Sequence, residues 1–112
     1  MGPSHSALKI QNHELQIVLD LLERHVPNHV VWAFGSRVGG SPKPFSDLDL
    51  VLIDSKPLPL GIRAELNNAF SESDLPWKVD LVDWHSISPD FQKIIQANYQ
   101  ILQNPASIKP SK

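Results

Sequence analysis

The apolar positions keep two different rhythms along the chain. From about Ala7 to Val26, Leu8, Leu15, Val18, Leu19, Leu22 and Val26 recur at helical spacing, and Pro27-Asn28 ends that run. His29 to Phe34 is β-branched and aromatic, which predicts a strand stopped by Gly35. Arg37 to Ser46 holds Gly39, Gly40, Pro42 and Pro44 and predicts a loop. Strict alternation returns from Asp47 to Ile53: Leu48, Leu50 and Leu52 share one face, and Asp47, Asp49, Val51 and Ile53 share the other. A proline-bearing loop over 54–61 leads to a helix marked by Ile62, Leu66, Ala69 and Phe70. Asp74 to Pro76 turns the chain into a third strand, Trp77 to Trp84. Ser88-Pro89-Asp90 then starts a last helix, with a capping serine, proline at the first helical position and an acid in the first turn. That helix is expected to bury Phe91, Ile94, Ile95, Ile101 and Leu102.

The resulting order, α-β-β-α-β-α, predicts an α+β fold: a small mixed β-sheet with helices backing one face. One domain spans 7–103, and the stretches 1–6 and 104–112, without apolar pattern, are expected to be disordered tails. The acid-bearing face of the second strand is then left open to ligand.

Composition narrows the function. At 112 residues the chain supports one hydrophobic core. A formal charge of -2 argues against direct nucleic-acid binding, which normally shows a basic patch. The absence of cysteine excludes disulfides and thiolate metal sites and fits a reducing cytoplasm. No apolar run approaches the ~20 residues of a membrane span, and no basic-then-apolar leader opens the chain. A cytoplasmic protein with no membrane partner is expected.

The chemistry concentrates in Gly35-Ser36, followed after ten residues by Asp47-Leu48-Asp49. Two carboxylates on one strand face repel each other unless a cation neutralises them. A Gly-Ser turn lets backbone N–H groups approach a phosphate closely. On the third strand, Asp80 shares parity with Lys78, Val82 and Trp84, whereas Asp83 shares it with Val79 and Leu81. Only one of these acids can join the Asp47/Asp49 face, and mid-strand Asp80 is the better placed. Three carboxylates suit hard cations such as Mg²⁺, and two such ions can clamp the attacking and leaving oxygens of an in-line displacement. Arg37 offers a guanidinium fork to phosphate oxygens, and Asp80 can take the acceptor's proton. The residues read as a phosphoryl-transfer site.

The motif Gly35-Ser36-x10-Asp47-x-Asp49, with Asp80 in Val-Asp-Leu-Val, resembles the signature of the polymerase-β-like nucleotidyltransferase superfamily, and its spacing is similar to the minimal nucleotidyltransferase (MNT) branch. The resemblance covers about Val30 to Asp83; the stretch Gly40 to Phe45 is more proline-rich than that pattern. It implies an antitoxin that transfers AMP from ATP to a tyrosine of a HEPN ribonuclease toxin. It also implies Asp47, Asp49 and Asp80 as metal ligands and catalytic groups, Gly35, Ser36 and Arg37 as nucleotide contacts, and two Mg²⁺ ions with ATP as substrate. The chain has no room for the acceptor domain of larger relatives, so a partner protein is expected to bring the acceptor. The rival readings are an antitoxin that blocks its toxin by binding alone, and transfer to a small molecule or an RNA end. The sequence leaves open a homo-oligomer.

Other candidates are weaker. Lys43 is more often a solvated lysine than a phosphate contact. His5, His13, His25, His29 and His85 fall in different elements without ligand spacing. Trp32, Trp77 and Trp84 read as core or interface anchors, Trp84 alone sharing the parity of Asp80. Tyr99 reads as a packing residue rather than a target of self-modification.

Overall fold

The computed structural model describes residues 8–53 and 58–105. The elements run α1 (Asn12–His25), β1 (Val30–Phe34), β2 (Leu48–Ile53), α2 (Leu60–Ser71), β3 (Val79–Asp83), α3 (Pro89–Ala97) and β4 (Gln100–Gln103). The strands form a four-stranded sheet in the order β3-β2-β1-β4. β1 is antiparallel to both β2 and β4, while β2 and β3 run parallel, so the sheet is mixed. The parallel pair is joined through α2, as such a crossover requires.

Alternation along β2 works as expected. Leu48, Leu50 and Leu52 are buried in the main core with Val31 and Ala33 of β1 and Val18, Leu22, Leu66 and Phe70 of α1 and α2. The first helix is shorter than its periodicity suggests. It begins at Asn12, where the Gln11 N–H donates to the Glu14 carboxylate at 2.9 Å, and Leu8 instead bridges to Val38 as extended chain.

Two expectations need correction. α1 and α2 back one face, but α3 packs on the other: its Ile95 and Phe91 join Phe34 and Val51 in a second cluster with Trp32, Val82 and Trp84. The odd-numbered face of β2 is therefore apolar and covered over Val51, and open only at the end that carries the aspartates. The last helix also stops at Ala97 rather than running through Ile101 and Leu102. Asn98 breaks it, its side-chain amide donating to the Val38 carbonyl, and Gln100–Gln103 becomes the edge strand β4. Ile94 and Ile101, expected in the core, are 64 % and 43 % exposed. The Ser88 cap is as expected: its hydroxyl accepts from the Phe91 N–H at 3.1 Å.

The expectations for 1–6 and for most of 104–112 lie outside the described residues, as does most of the loop after β2. No described helix is long and apolar enough to cross a membrane.

Candidate active site

β1 ends at Phe34, and the chain reverses through Gly35 at φ +85°, a conformation in which a side chain is strained. A second constraint acts at the same residue: a methyl group on Gly35 would run into the Asp49 carboxylate. Glycine thus provides both the turn and the space for the acid beside it. Gly35–Arg37 forms a single 3-10 turn, closed by the Val38 N–H donating to the Gly35 carbonyl at 3.0 Å. Gly35 and Ser36 are exposed at its tip.

Register then lines up the acids. Phe34 pairs with Asp49 across β1 and β2, and Asp49 pairs with Asp80 across β2 and β3. The Gly-Ser turn, Asp49 and Asp80 therefore stand in a row at one end of three adjacent strands. Asp47 sits one residue before β2, exposed, at the same end. Asp49 alone of the three is half-buried. Burial chiefly, then the charge of Asp80 and that of Asp47, raise its pKa from 3.8 to about 6. Two neighbouring carboxylates that raise the proton affinity of Asp49 mark a site short of positive charge.

The donor chemistry, carboxylate oxygen only, fits a hard divalent cation such as Mg²⁺. Among the described residues no three acidic or imidazole side chains stand close enough together to hold an ion as placed. The row of acids is close enough to interact electrostatically but is not yet a chelate.

The structure removes Arg37 from the phosphate contacts. Its guanidinium is buried and donates to four backbone carbonyls, those of Ser46 (2.9 Å), Lys9 (3.0 Å), Lys43 (3.3 Å) and Pro44 (3.1 Å). It also lies 4.7 Å from the centre of the Trp77 ring. With those donors spent, Arg37 fastens the proline-rich loop to the fold and has no fork left for phosphate. Asp83 is separated from Asp80 as parity suggests: it faces α2, where Arg63 binds it at 2.7 Å and also donates to the Leu81 carbonyl at 3.0 Å. Trp32 stacks on Tyr99 at 4.0 Å and meets Trp84 edge-on at 5.6 Å, so these rings pack on each other.

Sequence reasoning passed over Phe45. It is 76 % exposed, two residues before Asp47, on the loop that Arg37 holds. The available signal was a lone large apolar residue inside a breaker-rich loop, which no periodic pattern absorbs.

Comparison with known proteins identifies the family. A probable protein adenylyltransferase MntA of Haemophilus influenzae is 51 % identical over 100 residues, covering 89 % of this chain and 88 % of that protein. Among solved structures, a toxin–antitoxin with AMP-PNP superposes with a TM-score of 0.67 at 25 % identity, over 83 % of this chain and 76 % of that one. A tri-AMPylated Shewanella oneidensis HEPN toxin in complex with its MNT antitoxin matches at a TM-score of 0.63 and 24 % identity, over 88 % and 76 %, a likeness of fold. The polymerase beta nucleotidyltransferase family model matches residues 16–106, and the chain belongs to that family.

Proposed function

We propose that this protein is an antitoxin that transfers AMP from ATP to a tyrosine hydroxyl of a cognate HEPN-type toxin and thereby silences it. The observation that carries the reading is the row formed by the Gly35-Ser36 turn, Asp49 and Asp80 across three adjacent strands, with Asp47 at the same end. The identity to the Haemophilus influenzae adenylyltransferase spans nearly the whole of both chains, which supports transferring its activity to this one.

In this reading the N–H groups and hydroxyl of the exposed Gly35-Ser36 turn bind the β- and γ-phosphates. Asp47, Asp49 and Asp80 would hold Mg²⁺, which when bound neutralises phosphate charge and makes the α-phosphorus more electrophilic. Asp80, exposed at the outer strand, accepts the proton of the acceptor hydroxyl. The hydroxyl oxygen forms a bond to the α-phosphorus, the bond from that phosphorus to the oxygen bridging to the β-phosphate breaks, and pyrophosphate leaves. The protein's work is positioning and charge compensation.

Intact-mass measurement of a HEPN-type partner co-expressed with this chain tests the proposal. The partner should gain the mass of one or more AMP groups with the natural chain and none with Asp47→Asn/Asp49→Asn. An unmodified partner that the double variant still neutralises would instead establish blocking by binding alone.

A further inference from the structure

A cavity of about 620 Å³ opens beside Asp47, at the N-terminal ends of β2 and β3. Phe70 and Trp77, both buried, form its apolar floor, and Phe45, Asn67 and Lys78, all exposed, stand around it. Its size lies in the range of roughly 300–1,000 Å³ typical of ligand sites. Phe45 is 76 % exposed, yet its loop is not free: Arg37 holds the carbonyls of the two preceding residues, Lys43 and Pro44, and of the next, Ser46. An exposed aromatic ring on a fastened loop is the kind of residue that anchors a protein interface.

In-line displacement decides what this cavity faces. The entering and leaving oxygens lie on opposite sides of the phosphorus. Pyrophosphate on Gly35-Ser36 leaves toward β1, so the acceptor enters from the opposite side, past β2 toward β3. The order β3-β2-β1-β4 puts Lys78 and Val79, which line the cavity, on that entering side.

We propose that this cavity is the docking site for the acceptor: it receives the tyrosine-bearing segment of the partner protein, with Phe45 packing against the apolar part of that segment and Asn67 offering it an amide. The inference rests on the function proposed above and adds the place where the acceptor binds. Phe45 and Asn67 are positioning residues, and the adenine ring lies elsewhere.

Steady-state transfer to a purified HEPN-type partner at saturating ATP, alongside calorimetric binding of AMP-PNP, tests this. Phe45→Ala should raise KM for the partner about tenfold, leave kcat close to that of the natural chain and leave AMP-PNP affinity within about twofold; Phe45→Tyr should restore KM. Because Phe45 is exposed, its removal should scarcely change the melting temperature, and Asn67→Ala gives an independent reading in the same direction. Weakened AMP-PNP binding with an unchanged partner KM would make the cavity a nucleoside site and overturn the inference. So would unchanged values of both in the two variants. If the natural chain transfers no AMP, the proposed function fails and this inference falls with it, whereas transfer unaffected by Phe45→Ala removes the docking site alone.

Discussion

Asp49→Asn should stabilise the metal-free fold while destroying transfer. The carboxylate is half-buried beside two other acids, and its pKa rises from 3.8 to about 6, with burial the larger cause. At about 1.4 kcal/mol per pH unit that rise corresponds to roughly 3 kcal/mol favouring the neutral form. Asp49 keeps part of its surface in water, which screens the effect, so roughly 1–2 kcal/mol is the expected gain from the neutral amide. Asparagine has nearly the same shape, so no cavity opens to offset the gain. For a domain of this size each kcal/mol moves the melting temperature by roughly 4–8 °C, which predicts a rise of about 4–16 °C. The sign follows from linkage: a folded pKa above the unfolded one means that stability is full below 3.8 and falls as pH rises toward about 6. The difference between variant and natural chain should therefore be greatest above pH ~6 and fade as the pH is lowered toward ~4. Circular-dichroism melts in EDTA at a series of pH values measure it directly. Added Mg²⁺ should narrow the difference by stabilising only the natural chain. If Asp49→Asn melts at or below the natural chain at pH ~7.5, or if the difference ignores pH, the electrostatic account of this site is wrong.

Arg37→Lys should lower stability by roughly 2–3 kcal/mol in urea denaturation, because one ammonium cannot serve four carbonyls and the Trp77 ring together. Asp80→Asn should abolish AMP transfer with little change in melting temperature. Asp83→Asn should do the reverse, since it breaks the partly buried pair with Arg63 at a cost of about 1 kcal/mol and leaves the acid row intact; equal effects on transfer in a radiolabelled-ATP assay would refute the assignment by strand parity. Gly35→Ala should weaken AMP-PNP binding and reduce transfer at least about a hundredfold, because it strains a left-handed residue and displaces the Asp49 carboxylate.

Much of the site was legible because short-range rules govern it. A period of two places Asp47 and Asp49 together and sets Asp80 apart from Asp83 before any neighbour is known. Glycine ahead of serine marks a backbone turn that other residues resist. The same alternation correctly assigned Leu48, Leu50 and Leu52 to the core. Arg37 was misjudged for a reason of the same clarity. A guanidinium beside a Gly-Ser turn has the chemistry of a phosphate ligand, and nothing local reveals that four carbonyls, one of them 28 residues away at Lys9, claim its donors first.

What the chain determines by itself is the identity and facing of its reactive groups, through alternation, turn chemistry and capping that act over a few residues. Tertiary structure decided the rest. Ile94, Ile95, Ile101 and Leu102 keep helical spacing, yet the helix ends because the Asn98 amide reaches Val38, 60 residues earlier, and β1 offers a free edge to Gln100–Gln103. α3 then covers the apolar half of the acid-bearing face and leaves the other half open. These outcomes depend on hydrogen-bond partners and packing surfaces that exist only once distant segments meet, so no periodicity in the sequence could carry them.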